Sequence, residues 1–392
     1  MKKGSETEKY YKIAERYYAK TTVDDTVPMP VIRKKNGANG IYIWDVDSKM
    51  YIDLTSGVGV ANIGYNQKLF NDTVAKWLKE SGYANFLHHD WHNANTLDFA
   101  VKVAQKIESI FKDERKIIFT NSGTETVEAA LKLCFAKKKL KKPEEGIVIC
   151  LDGAFHGRTN GSLPLMDPKK KVRTEYFPMP YEAARFSYPT KNVNTPDEIL
   201  TAIEEKRLDL SKVIAVIIEP VQGEGGIYVP DIPQMRWLDG FCNCRNIPLI
   251  VDEIQSGWGR TGKWLASEHF GITPDIICLS KAFGGGATIG AAVFKKEYDF
   301  EKLGQHSSTF GGNAMNVAAA WATLDIIERL NLCEAAEKLG VVLEKELKEL
   351  QKKYPCKIID VRGVGLMQGI ELISPEFRAK VVKEGYEQGL IL

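Results

Sequence analysis

Six short runs of β-branched and aliphatic residues punctuate the chain: Ile117–Thr120, Ile147–Leu151, Val213–Ile218, Pro248–Val251, Ile276–Leu279 and Gly290–Phe294. Amphipathic stretches of helical period separate them. Parallel strands need long crossovers, so this alternation predicts an α/β fold, a mainly parallel sheet with helices on both faces. Upstream, Ile41 to Leu54 reads as a hairpin turning at Asp47-Ser48, and downstream Ala314–Arg329 and Ala335–Lys353 read as long helices on a smaller side. No internal repeat or low-complexity linker interrupts the pattern. The lysine-rich stretch Lys137–Lys142 is most simply a solvated helix end.

Length and charge narrow the partners. A chain of 392 residues accommodates one large domain with a smaller companion. Its 53 basic and 51 acidic residues leave +2, which gives no electrostatic case for nucleic acid or an anionic membrane and favours a small-molecule partner. The seven cysteines are scattered, and Cys242 and Cys244 stand too close for a zinc-binding pair. They read as thiols of a reducing compartment. Met1 to Lys20 is charged and tyrosine-rich without the apolar core of a signal peptide, and no apolar run nears membrane-spanning length, so a cytoplasmic protein is expected.

In doubly wound sheets ligands collect beyond the carboxyl ends of strands, and four of the runs end in chemistry-bearing residues. Asn121-Ser122-Gly123-Thr124-Glu125 is a glycine turn opening a helix, where free N–H groups suit a phosphate; Ser122 and Glu125 equally fit an ordinary capping box. Gly153 to Thr159 sets Phe155, His156 and Arg158 at one strand end, a ring to stack on a heterocycle and a guanidinium to grip a carboxylate. A core phenylalanine beside a surface arginine is the plainer alternative. Asp252-Glu253-Ile254-Gln255 ends a strand that reads as buried, so Asp252 needs a cation, either a protonated heterocycle nitrogen or magnesium. Ser280-Lys281-Ala282-Phe283-Gly284-Gly285-Gly286 carries a lysine out of a buried strand, where low dielectric favours a nucleophilic neutral amine.

Together these stretches resemble the class III (ω-) aminotransferases, pyridoxal-phosphate enzymes of fold type I, from about Pro28 to the C-terminus. LIVDEIQSGWGRTG followed by PDIICLSKAFGGG carries most of the likeness, with SGTE, AFHGRT, IEPVQGEGG and HSSTFGGN in the family's order. The resemblance implies a large domain over 55–310 with a mainly parallel seven-stranded sheet, and a smaller α+β domain from 1–54 and 311–392. It implies that Lys281 forms the Schiff base with pyridoxal 5'-phosphate and moves the proton, and that Asp252 faces the ring nitrogen. Gln255 would bond the phenolic oxygen, Phe155 would cover the ring, and Ser122, Gly123 and Thr124 would hold the phosphate. His156, Glu219 and Ser308 join the cofactor-binding set, and Thr309 would reach a neighbouring subunit's phosphate, implying a homodimer or a tetramer of such dimers. No metal is implied.

For substrates, the resemblance implies an amino-acid donor and a 2-oxo-acid acceptor. Val58 stands where 4-aminobutyrate and acetylornithine aminotransferases carry isoleucine and ornithine δ-aminotransferases a tyrosine, and valine offers no hydrogen bond to an α-amino group. Arg158 matches an arginine that holds a donor's distal carboxylate. Glu224 matches a glutamate that pairs with a switching arginine in an Arg-x-x-Pro-Pro context; the sequence ends at Leu392 before one, so a truncated or short C-terminal lobe is expected. Tyr65-Asn66-Gln67 departs from the family's His and Pro, with no functional consequence attached. The expected activity is transfer from a 4-aminobutyrate-like ω-amino acid to 2-oxoglutarate. The alternatives are an acetylornithine or lysine-pathway aminotransferase, an amino-acid racemase of the same family, and a cofactor-binding but inactive chain. A nicotinamide dehydrogenase is disfavoured because Gly57-Val58-Gly59 and Gly363-Val364-Gly365 lack a third glycine. A metal hydrolase is disfavoured because only His88-His89-xx-His92 approaches ligand spacing.

Overall fold

The computed structural model describes residues 5–17, 33–81, 94–167 and 180–392. The His88, His89 and His92 trio and the start of the family likeness at Pro28 lie outside the described residues. Three strands come first, β1 (Arg33–Asn39), β2 (Tyr42–Asp45) and β3 (Met50–Asp53). Next are β4 (Arg115–Thr120), β5 (Ile147–Leu151), β6 (Glu182–Phe186), β7 (Val213–Ile218), β8 (Leu249–Asp252), β9 (Ile276–Leu279) and β10 (Gly290–Lys295). The last are β11 (Ile358–Val364), β12 (Met367–Leu372) and β13 (Leu390–Ile391).

All six apolar runs are strands of one seven-stranded sheet, ordered β4-β10-β9-β8-β7-β5-β6. Neighbours from β9 across to β6 are parallel, while β10 runs antiparallel to both β9 and β4. That leaves β4 pointing the same way as β9. Every residue of β5, β7, β8 and β9 is buried. This explains their uninterrupted apolar sequences, since a sheet covered on both faces has no solvent side to alternate toward. The seventh strand, β6, gave no such signal: Glu182-Ala-Ala-Arg-Phe186 sits at the sheet edge, where only Phe186 is buried.

The predicted hairpin is present as β2 and β3, joined by a turn in which Ser48 takes a left-handed φ of 67° and the Asp45 side chain accepts the Lys49 amide at 2.8 Å. A four-stranded sheet, β1-β2-β3-β13, is completed by the last strand pairing parallel to β3. Helix Ala314–Arg329 forms as the pattern predicts, but it packs on the large sheet rather than on the smaller side. Val317, Ala320, Leu324 and Ile327 share a core with Ile277, Leu279, Ala291 and Val293 of β9 and β10. Its alanine-rich face allows that close approach. The following helix begins at Leu332, three residues before the apolar period suggested.

Candidate active site

Because β4, β5, β7, β8 and β9 all run the same way, their carboxyl ends meet on one edge of the sheet, and a cavity of about 290 Å³ opens there. Each strand sends residues into its wall: Gly123 and Thr124 after β4, Phe155 to Arg158 after β5, and Glu219, Val221 and Glu224 after β7. Asp252, Ile254 and Gln255 come from β8, with Ser280 and Lys281 from β9. The structure therefore brings together ten of the fourteen residues singled out in the sequence. Ser122, Val58, Ser308 and Thr309 do not line this cavity.

Lys281 leaves β9 with a φ of 47°, a left-handed backbone that a long L side chain rarely adopts. Such strain gathers where surrounding structure fixes a functional geometry. Burial draws the Lys281 ammonium below its ordinary value, against the opposing pull of Glu224, Asp252 and Glu219. Asp252 is the last residue of β8, one position beyond the run expected, and is buried. Its Oδ2 meets His156 Nδ1 at 2.7 Å and its Oδ1 accepts the Ile254 amide at 3.1 Å. The other ring nitrogen, His156 Nε2, is buried with no partner among the described residues.

The paired carboxylates Asp252 and Glu253 part company. Glu253 accepts from Ser256 Oγ at 2.6 Å, Ser267 Oγ at 2.9 Å, and the Ala266 and Ser267 amides at 3.0 and 2.8 Å. It ties the loop after β8 to the short helix at Ser267 and does not line the cavity. Among the described residues no group of three or more His, Cys, Asp or Glu side chains stands close enough to hold a metal ion.

At the helix Gly123–Lys138, both readings of the glycine turn hold at once. Ser122 Oγ accepts the Glu125 amide at 3.4 Å as an N-cap. The reciprocal bond falls one residue earlier than a standard box, with Glu125 Oε2 accepting the Asn121 amide at 2.7 Å. The amides of Gly123 and Thr124 lie in the first helical turn, where N–H groups have no intrahelical partner, and both residues line the cavity, so they can meet an anion there. Thr124 Oγ1 is shared with Thr159 Oγ1 and Ser162 Oγ, each at 2.8 Å. Gly157 keeps that cluster possible: a Cβ there would fall 2.2 Å from Thr124 Oγ1.

Arg158 is exposed at the cavity mouth, its guanidinium 5.2 Å from the centre of the Phe155 ring. Thr309 is exposed, and Ser308 Oγ accepts from Asn121 Nδ2 at 3.1 Å. The sequence reading did not single out Gly223 or Ile254. Gly223 has no room for a side chain, because a Cβ would lie 1.4 Å from Gln255 Oε1. Ile254 lines the wall between Asp252 and Gln255 and crowds Gly123, whose Cβ would lie 2.9 Å from its Cδ1. Their signal was present, Ile254 inside the strand-end run and Gly223 in Gln222-Gly223-Glu224, but apolar and glycine positions carry no chemistry of their own to announce it.

Glu219 is buried beside Asp252 and accepts the Phe155 and Gly223 amides, both at 3.1 Å. Burial chiefly, with the Asp252 carboxylate, pushes its carboxyl up to about 7 from an ordinary 4.5, against the pull of His156 and the two amides. A carboxyl raised in this way keeps its proton in the folded protein after the unfolded chain has released it. Its contribution to stability is complete below 4.5 and is lost as pH rises through about 7. The interval corresponds to at most about 3 kcal/mol. Glu219→Gln, which cannot ionise, is expected to remove this loss. Urea unfolding of the cofactor-free protein at pH 5 and pH 8 checks it: wild type and variant losing stability equally would refute the assignment.

The donor set suits a flat, anionic, ring-nitrogen-bearing aldehyde such as pyridoxal phosphate. The first-turn amides meet a phosphate, the buried Asp252 carboxylate meets a cationic ring nitrogen, Phe155 offers a ring face, and the half-buried Lys281 offers an amine. Glycines stand where a Cβ would fill the cradle.

Comparison with known proteins agrees with this chemistry. The sequence pattern described as Aminotransferase class-III matches residues 22–392. An acetylornithine aminotransferase of Methanocaldococcus jannaschii is 37% identical over 358 residues, covering 90% of this chain and 83% of that one. A diaminobutyrate–2-oxoglutarate aminotransferase of Rhizobium meliloti is 36% identical over 360 residues, covering 86% and 73%. Among solved structures, an ornithine aminotransferase of Toxoplasma gondii with partial occupancy of pyridoxal phosphate at its active site superposes with a TM-score of 0.84. It is 27% identical, covering 100% of this chain and 87% of that one.

Proposed function

The chain belongs to the class-III aminotransferase family, which is pyridoxal-phosphate-dependent, and from that premise we propose that it takes the terminal amine of an ω-amino acid of the acetylornithine type and delivers it to 2-oxoglutarate. The observation that carries the donor class is the placing of Arg158 at the mouth of the cavity that Lys281 and Asp252 enter. A guanidinium set apart from the reacting amine grips a carboxylate remote from it. The names of the relatives support an acetylated or diamino acid. Val58 adds no polar group for a donor's α-amino end, which counts against ornithine δ-transfer and suits 4-aminobutyrate, the second reading, as well as acetylornithine.

When bound, the cofactor supplies an aldehyde that accepts amines and a cationic ring that draws electrons from the carbon bearing the amine. In this proposal Lys281 would hold it covalently, and its Nζ would take up and return the proton of the carbon bearing the amine. Asp252, oriented by His156, would keep the ring nitrogen protonated. The Gly123 and Thr124 amides would hold the phosphate, and Gln255, fixed between Gly223 and Gly59, would meet the phenolic oxygen. Glu219 anchors the loop that brings Glu224 to the cavity.

We also propose that residues 55–310 form the larger domain and that 1–54 and 311–392 form the smaller, except that the helix Ala314–Arg329 packs on the larger domain's sheet, and that two chains pair. Pairing is supported by the exposure of Thr309 beside Phe310 and Met315, two apolar side chains left in solvent. The test is glutamate formation from 2-oxoglutarate with N-acetylornithine, 2,4-diaminobutyrate and 4-aminobutyrate in parallel. The first is expected to turn over fastest, and glutamate from none of the three would sink the proposal.

A further inference from the structure

The loop after β5 carries two hydroxyls, Thr159 and Ser162, that stand outside the cavity wall. It is tied down along its length. The Ser162 and Leu163 amides donate to the Thr159 carbonyl at 3.0 and 2.7 Å. The Gly161 amide donates to Glu128 Oε1 of the helix Gly123–Lys138 at 3.1 Å, and the Gly161 carbonyl accepts the Tyr181 phenol at 2.6 Å. Arg185 of β6 donates to the carbonyls of Leu165 and Met166 at 3.3 and 2.6 Å. The loop is thereby docked on the first two turns of the helix whose N-terminal residues line the cavity.

Docking closes a triangle of hydroxyls. Thr124 Oγ1 stands 2.8 Å from both Thr159 Oγ1 and Ser162 Oγ, which are 3.1 Å from each other. A Cβ on Gly157 would lie 2.6 Å from Ser162 Oγ as well as against Thr124, so only glycine leaves the triangle room. A hydroxyl has one proton to donate and two lone pairs with which to accept. When Thr159 and Ser162 both donate to Thr124, its lone pairs are filled and its own proton has no acceptor left in the triangle. Of the three residues only Thr124 lines the cavity, next to Gly123, so that proton is the one on offer to an anion there. An anion selects this arrangement over the others the triangle can adopt, because a hydrogen bond to a charged acceptor is the stronger one. Ser162 Oγ also reaches the Thr159 carbonyl, at 3.3 Å. Without the Thr159 hydroxyl, Ser162 can turn its proton to that carbonyl and accept from Thr124, which draws the Thr124 proton away from the cavity.

We propose that Thr159 and Ser162 are positioning residues for the cofactor's phosphate: they fill the lone pairs of the Thr124 hydroxyl and so direct its proton to a phosphate oxygen. The inference rests on the reading of this cavity as a pyridoxal-phosphate site. It assigns the two hydroxyls to recognition of the phosphate and not of the ring.

The test titrates the full chain, stripped of cofactor, with pyridoxal 5'-phosphate and with pyridoxal, which has the ring and aldehyde but no phosphate. Tryptophan fluorescence reads binding, and phosphorus NMR of the holoenzyme reads the phosphate itself. Thr159→Val deletes the hydroxyl at an exposed position and is the deciding variant; Thr159→Ser keeps it. Thr159→Val is expected to raise the Kd for pyridoxal 5'-phosphate about tenfold, the lower end of what one hydrogen bond to a charged group contributes. It should leave the Kd for pyridoxal as in wild type and displace the phosphorus resonance, and Thr159→Ser should restore both. Ser162→Ala, at a buried position, is expected to act in the same direction. Thr159→Val binding pyridoxal 5'-phosphate as wild type does, or weakening both ligands equally, would overturn the proposal. Wild type binding the two ligands equally tightly would overturn the phosphate reading of the cavity and the proposal with it.

Discussion

Replacing Lys281 by alanine is expected to abolish covalent retention of the cofactor and to slow amine exchange by at least roughly 10²–10⁴-fold, the range that loss of a positioned proton carrier alone produces. Loss of the nucleophile adds to that. The proposed role gives Lys281 both tasks, and β9 delivers it from a fully buried strand into a wall shared with Asp252 and Glu219. Burial favours its neutral amine, and the three nearby carboxylates favour its ammonium. An amine held between these pulls can attack an aldehyde and still take up a proton, which arginine cannot do because its guanidinium stays charged. Lys281→Arg is therefore expected to fail as fully as alanine while keeping the positive charge. Borohydride reduction followed by mapping of the pyridoxyl peptide checks retention, and glutamate formation checks exchange. The substitution should leave the thermal unfolding temperature of the cofactor-free protein nearly unchanged, since among the described residues the side chain has no hydrogen-bond partner on which the fold depends. Cofactor retention and wild-type exchange in either variant would refute the role.

How much of this was legible in the sequence depended on whether chemistry and burial coincided. The central strands announced themselves because burial on both faces leaves runs such as Val213–Ile218 wholly apolar. Edge strand β6 did not, since solvent on one side permits Glu182 and Arg185. Lys281, Asp252 and Phe155 stood out as reactive or aromatic residues at strand ends, and the sheet brings them to one wall. Asp252 and Glu253 looked equivalent as neighbours in sequence, yet adjacent residues at a strand end point to opposite faces. Only the fold shows that one lines a cavity while the other is consumed by four protein donors. The left-handed turn at 56–59 was invisible for another reason. Gly57-Val58-Gly59 was weighed as a phosphate loop on its glycines, and nothing in a valine's identity signals a φ of 60°. The Asp53 carboxylate accepts the Thr55 and Gly57 amides at its foot, and Tyr65, twelve residues on, donates its phenol to the same carboxylate.

Asp252 separates two effects that a single substitution would merge. Its buried carboxylate both lines the cavity and holds His156, at 2.7 Å. Asp252→Ala removes the charge and also strips Nδ1 of its partner, leaving an imidazole whose two nitrogens are both buried and unpaired. Each such loss costs about 1–3 kcal/mol, so this variant should be slower and less stable. Asp252→Asn keeps an oxygen for the Ile254 amide and a polar group for His156, and therefore keeps most of the stability. It still lacks the charge that would hold a proton on a ring nitrogen. In a site shielded from water a preorganised charge of this kind is worth about 10²–10³-fold in rate. Amine exchange is thus expected to fall by that factor in both variants, while urea unfolding distinguishes them, asparagine near wild type and alanine below it. Cofactor retention at Lys281 should survive in both, because the bond to the amine does not require the ring nitrogen. An asparagine variant exchanging amines at the wild-type rate would mean that the Asp252 charge does not act on the reaction, leaving the residue as a support for His156 alone.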